Sequence, residues 1–244
     1  MDEHKRLMLQ ENEYFPDETF KVEQNHYDDF QMHKDIIDCI AASGDSLVPS
    51  LLTYKFYKTL YEEPKRNVRI HGRHDKKTFM LYFPLILDNA TRLHPDVPDK
   101  KYPLIIYIHS SPESAISTYN MIIGFTKNLK ITTALSHQDR KMEENLKEMK
   151  KPFHILVTTI ANLVHHCDKG ILRYDQTSSV ILVNMSHWKK NINYKFLTDE
   201  MLKMGWQPNN KCDVIAISED FGIITKNIYK EFSFREHFDF DVFL

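Results

Sequence analysis

The order of apolar and polar residues divides the chain into helical periods and short apolar runs. From Phe30 the apolar positions Ile36, Ile37, Ile40 and Ala41 share one helical face, and Gly44-Asp45-Ser46 then breaks the period. Leu51, Leu52, Tyr54, Phe56, Leu60 and Tyr61 are too closely spaced for a loop and predict a second helix over about 49–61. β-rich runs follow at 67–71, 104–109, 131–135, 154–158, 180–184 and 213–218, mostly separated by segments of helical composition. LIIYI, HILVT and VILVN are unbroken apolar runs, as expected of parallel strands buried on both faces. Six strands with intervening helices predict an α/β fold: one doubly wound, mostly parallel sheet covered on both faces. QDRKMEENLKEMK, at 138–150, reads as a solvated outer helix with Met142, Leu146 and Met149 as its apolar seam. At the end of the chain Phe232, Phe234, Phe238, Phe240 and Phe243 are spaced largely by twos with charges between. That spacing suits an edge strand packed on the core, with an aromatic docking strip as the alternative.

Composition narrows the function classes. In 244 residues, 32 Lys+Arg face 34 Asp+Glu, so the net charge of −2 provides no global attraction to nucleic acid or an anionic membrane. No apolar run reaches the roughly 20 residues a spanning helix needs, and the charged start lacks the apolar stretch of a signal peptide, so the expectation is an intracellular, cytoplasmic protein without a membrane span. Cys39, Cys167 and Cys212 are scattered and odd in number, which suits a reducing compartment and no cysteine-rich zinc site. Only 6 residues are glycine, about 2.5% against an average near 7%, and glycine is what loops need to wrap phosphates. Residues 1–29 read as an acidic lead-in, a solvated tail or a docking segment, before a single domain over 30–244.

In an open parallel sheet, ligands bind where strands end at their carboxyl sides. The first run is followed by His71-Gly72-Arg73-His74-Asp75-Lys76-Lys77-Thr78, the layout of a phosphate loop with the pattern G-x-x-x-x-G-K-[ST]. His71 and Lys76 stand at both pattern glycines, and Gly72 is one position out of register. A side chain at Lys76 would enter the space where phosphate oxygens meet backbone N–H groups. Elsewhere, His165-His166-Cys167 suggests a metal, but consecutive helical residues point apart, so surface histidines beside a buried cysteine are expected. Glu219, Asp220, Asp239 and Asp241 suggest a carboxylate cluster for a two-metal nuclease, but such an enzyme also wants an acid on its first or central strands, and NVRIH, LIIYI and VILVN supply none.

Taken in order, these segments resemble the first RecA-like domain of a DEAD-box RNA helicase from about residue 30 nearly to the end. RNVRIHGRHDKKTFMLYFPLIL resembles its opening strand, phosphate loop and helix. LIIYIHSSPESAIS is similar to the next motif, with Ser110-Ser111-Pro112-Glu113-Ser114-Ala115 where the family has P-T-R-E-L-A. HILVTTIANLV carries Thr159-Ile160-Ala161-Asn162 in place of T-P-G-R, and SVILVNMSHW carries Asn184-Met185-Ser186-His187 in place of D-E-A-D. DVIAISEDFG carries Ser218-Glu219-Asp220 in place of S-A-T. Intervals of 33, 49, 25 and 34 residues between these points are close to the family's own.

The resemblance implies a RecA-like fold, and its departures imply lost chemistry. Lys77 and Thr78 are the vestige of the nucleotide loop. Asn184 stands where the family's aspartate holds magnesium, and Met185 where its glutamate positions water, so neither nucleotide nor other cofactor is expected and the chain reads as no enzyme. The resemblance ends where the family's first domain ends, short of the domain that completes the ATP cleft. Ser110, Ser111, Thr159 and Asn162 are the candidates for RNA backbone contact, and with both motif arginines replaced that contact should be weak. The fragment HGRHDKKT is similar to the loop of the helicase-like domain in Yb-group tudor proteins of the germline piRNA pathway. This implies an adaptor for Argonaute-type or tudor proteins, in a cytoplasmic germ granule. A nucleolar ribosome-biogenesis factor built on a single degenerate RecA-like domain is the alternative, less favoured because such proteins carry basic tails. An RNA-dependent ATPase or nuclease is poorly supported.

Overall fold

Seven parallel strands form one sheet in the computed structural model, which describes residues 26–62, 67–93, 102–188, 194–208, 212–232 and 237–242. The strands are β1 (Asn67–His71), β2 (Ile105–His109), β3 (Thr133–Ser136), β4 (Ile155–Thr159), β5 (Ser179–Val183), β6 (Asp213–Ser218) and β7 (His237–Asp241), in the order β3-β4-β2-β5-β6-β1-β7. The helices are α1 (Lys34–Ala42), α2 (Leu51–Glu62), α3 (Lys76–Leu93), α4 (Pro112–Thr126), α5 (Met142–Met149), α6 (Ile160–Asp168), α7 (Tyr194–Lys203) and α8 (Ile223–Phe232).

Strand alternation divides the core. Ile105 and Tyr107 of β2 face one side with Val68, Ile70, Ile215 and Ile217, against Phe79 and Phe83 of α3 and Ile122 of α4. Ile106 and Ile108 face the other with Leu156 and Leu182, against Leu163, Leu197, Met201 and Phe232. Every residue of β2, β4, β5 and β6 is buried, which is why these strands read as continuous apolar runs.

The doubly wound parallel sheet is as expected. Of the C-terminal phenylalanines, Phe238 and Phe240 lie in the edge strand β7, whereas Phe232 ends α8 and is buried there, and Phe234 and Phe243 lie outside the described residues. Phe240 of β7 is buried and packs on Phe56 of α2 with ring centroids 4.9 Å apart. Arg69 clamps β7 to β1 through two bonds to the Asp239 carboxylate, 2.6 and 2.5 Å. The outer helix is shorter than 138–150, spanning Met142–Met149. Its seam differs as well: Met142 is exposed, and Asn145 is buried because its amide donates to the His137 carbonyl at 2.9 Å. A 3-10 turn over Tyr27–Phe30 places Tyr27 and Phe30 in the core against Tyr57 of α2. Residues 1–25 of the acidic lead-in lie outside the described residues. Among the described residues no helix is long and apolar enough to cross a membrane.

Candidate functional site

The loop between β1 and α3 is built from hydrogen bonds that the chain makes with itself. Asp75 precedes the first residue of α3; its carbonyl accepts from Phe79 N–H at 2.8 Å and its Oδ1 accepts from Thr78 N–H at 2.9 Å, so it caps the helix. Lys76, at the place of the second pattern glycine, turns back to the end of α1. Its ammonium donates to the Ser43 carbonyl at 2.8 Å and lies 3.6 Å from Asp45. Gly72 donates to the Ser218 carbonyl at 3.0 Å, and a Cβ there would come within 3.2 Å of the Val242 Cβ. The segment after β7 therefore passes directly over the loop, with Val242 N–H bonded to the His71 carbonyl at 3.0 Å. Arg73, Asp75, Lys77, Thr78 and Val242 line a cavity of 330 Å³. Lys77 is exposed at it, whereas Thr78 is buried.

Beneath this loop runs a chain of polar side chains. His74 bonds through Nε2 to the Tyr82 hydroxyl at 2.7 Å and through Nδ1 to the Thr118 hydroxyl at 3.2 Å. His109, at the end of β2, bonds to the Ser114 hydroxyl at 2.9 Å, which also accepts from the Asn184 amide at 3.4 Å. Burial pushes His74 down to about 4 and holds His109 well below the usual histidine range. Asn184 adopts a left-handed conformation with φ of 54°, which asparagine tolerates better than most residues. Its N–H donates to Ile217 O at 2.8 Å, and Ser186 N–H lies 3.4 Å from the Ser218 hydroxyl, joining the ends of β5 and β6. Met185 is fully buried in the core between the sheet and α8.

The four candidate RNA-contact residues divide into two pairs. Ser110 and Ser111 are half-buried at the start of α4, where Ser111 caps the helix by accepting from Ser114 N–H at 3.3 Å. Pairing of His109 with Thr159 across β2 and β4 brings Ser110 beside Thr159, but Thr159 is buried and donates to Gln138 Oε1 at 2.7 Å. Asn162 is buried and donates to the Ser136 hydroxyl at 2.8 Å; that hydroxyl also bonds His166 Nε2 at 2.8 Å.

His166 is thus a core residue, correcting the expectation of two surface histidines; burial, then the neighbouring His165, push it down to about 4. Cys167 is buried as expected, and its thiol is pushed up to about 11 by that burial. The four carboxylates considered for a nuclease are held separately. Asp239 is on Arg69, Glu219 is 2.9 Å from Arg73, Asp241 is 3.6 Å from His71, and Asp220 accepts from Gly222 N–H at 2.6 Å. Among the described residues no group of three or more His, Cys, Asp or Glu is placed to hold a metal ion. The Asp75 cap escaped the sequence reading, although Asp immediately before a helix is its signal. The Ser136–Asn162–His166 network had none, because its members meet only when β3 lies beside α6.

Solved structures share this architecture. The chain is similar to a DEAD-box protein from the hyperthermophile Methanococcus jannaschii, with a TM-score of 0.67 and 16% identity over 88% of this chain and 55% of that one. It is also similar to Saccharomyces cerevisiae Dbp5 bound to Nup159, Gle1, IP6 and ADP, with a TM-score of 0.66, 15% identity and coverage of 86% and 52%. A third is the RNA helicase Prp28 from Chaetomium thermophilum bound to ADP, with a TM-score of 0.65, 12% identity and coverage of 87% and 49%. The fold is therefore the RecA-like α/β fold of DEAD-box helicase domains, and the chain spans about half the length of these structures. No family model and no curated protein matches the sequence.

Proposed function

We propose that this chain is a catalytically inactive RecA-like domain, a pseudo-helicase that acts as a protein-interaction adaptor. The observation that carries this reading is the Asp75 carboxylate at the start of α3. A phosphate-binding loop offers the free N–H groups of a helix N-terminus to phosphate oxygens. Here a carboxylate already accepts the Thr78 N–H and brings negative charge to the same place. Magnesium would find Asn184, an uncharged amide, and no carboxylate at Met185, whose side chain is committed to the core. RNA contact rests on Ser110 and Ser111, because Thr159 and Asn162 spend their donors internally. Small hydroxyls without cations support at most a weak backbone grip.

The partner follows from the resemblance of HGRHDKKT to the loop of the Yb-group tudor proteins: an Argonaute-type or tudor protein of germline piRNA-mediated transposon silencing, met in a cytoplasmic germ granule. Titration of a fluorescent ATP analogue with magnesium tests the pseudo-enzyme half, with no saturable binding expected. Micromolar binding abolished by Lys77→Ala would overturn it. Affinity purification from native tissue, with and without RNase, tests the adaptor half. RNase-resistant recovery of Argonaute or tudor proteins is expected, and recovery of pre-ribosomal proteins lost on RNase treatment would replace that assignment with the ribosome-biogenesis reading.

A further inference from the structure

Helix α4 exposes a seam whose two ends are opposite in charge. Glu113, Ile116, Asn120, Ile123 and Lys127 follow one another at spacings of three and four residues, which places them on one stripe of the helix and just past its end. All five are exposed, with Ile116 at 39% and Ile123 at 41%, while Ala115, Thr118, Ile122 and Phe125 bury the opposite side. Beside the seam is a cavity of 220 Å³ with Phe79, Met80, Met121 and Phe125 among its walls, bordered by Gly124. A Cβ at Gly124 would meet no atom within 4 Å. Glycine inside a helix costs about 1 kcal/mol relative to alanine, and no contact among the described residues calls for it.

We propose that two copies of this chain pair through α4, antiparallel, about a two-fold axis at Asn120. In a two-fold interface, residue i faces j and j faces i. With the axis at Asn120, Ile116 faces Gly124 of the second copy, Ile123 faces the small Ser117, and Glu113 faces Lys127. The exposed isoleucine is thus a knob opposite the hole that the glycine leaves open, and the interface holds that fit twice. The charges select this occupant and this direction. A parallel pairing would set Glu113 on Glu113 and Lys127 on Lys127, whereas the antiparallel one makes two opposite-charge pairs.

Sedimentation of the full chain over a range of concentrations tests the proposal, with circular dichroism confirming that each variant is folded. The wild-type chain should show a monomer–dimer equilibrium. Glu113→Lys or Lys127→Glu, each of which converts both ion pairs to like-charge contacts, should weaken it about tenfold. The double exchange should restore it, because it remakes both pairs in reverse. Gly124→Leu should fill the hole and abolish the dimer without lowering the melting temperature. A wild-type chain that stays monomeric through the micromolar range overturns the proposal. So does a dimer indifferent to Gly124→Leu, or a double exchange no tighter than the single ones.

Discussion

The Oδ1 atom of Asp75 accepts the backbone N–H of Thr78 at 2.9 Å, so the first turn of α3 carries its own anion. An N-cap of this kind is worth about 1 kcal/mol, which corresponds to roughly 2–4 °C in a chain of this size. Asp75→Ala should lower the melting temperature by that amount. Asp75→Asn keeps an acceptor oxygen and should leave it nearly unchanged. Thermal unfolding followed by circular dichroism separates the two.

Placing an acidic pair at the end of β5 should harm the fold. Met185 has no exposed surface, so Met185→Glu places an unpaired carboxylate in the core, at a cost of about 3 kcal/mol or more. Asn184→Asp alters a half-buried side chain and should be far milder. The urea midpoints of the two variants give the comparison. Equal midpoints would show that position 185 reaches solvent.

Acid should destabilise this protein earlier than its carboxylates alone would require. Burial is the largest cause of the lowered pKa of His74, His109, His137, His154 and His166, with His74 and His166 near 4. An unfolded histidine titrates near 6.5. Between these values the unfolded chain binds protons that the folded chain refuses, so stability is complete above pH 6.5 and declines as pH falls towards 4. Urea midpoints at pH 7.5, 6 and 5 should fall in that order, and His166→Gln should flatten the slope. A midpoint constant over this range would mean that the histidines are not held neutral.

An ion pair ties the edge strand to its neighbour. Arg69 and Asp239 make two hydrogen bonds between β1 and β7, and the guanidinium lies 5.4 Å from the Phe221 ring centroid. Removing either partner takes a two-bond ion pair from a partly buried charge, so Arg69→Met and Asp239→Asn should each cost about 2 kcal/mol. The loss should appear as faster amide exchange in β7 before it appears in β5.

Tyr27 tests where the folded domain begins. Its ring lies 5.7 Å from that of Tyr57 and is buried, although the composition around it is that of the acidic lead-in. Tyr27→Ala should cost about 3 kcal/mol, as removal of a buried aromatic does. An unchanged unfolding midpoint would return residues 26–29 to the lead-in.

Much of the fold was legible because of burial on both faces of the sheet. Strands 67–71 and 213–218 coincide with β1 and β6, and the other four expected runs differ from β2 to β5 by one or two residues at their ends. Those ends are decided by which backbone groups find partners in the next strand, as when the Leu104 and Ile105 N–H groups both reach the His154 carbonyl. The site was legible in part. Lys76 and Lys77 mark the loop by their type, and Asn184 and Met185 mark the end of β5, because these residues lie within a few positions of a readable strand.

What the sequence determined by itself is local: apolar runs too continuous for one-sided strands, and the glycine-poor loop at 71–78. Strand order belongs to the tertiary structure, and with it every contact that crosses the sheet. Placing β6 between β1 and β5 brings Ser218 to both Gly72 and Ser186. Only the packed structure turns Thr159 towards Gln138 and Asn162 towards Ser136, partners more than twenty residues away in the chain. A hydroxyl or an amide has the same chemistry wherever it stands. Whether it faces solvent or a buried partner is decided by the elements that pack over it.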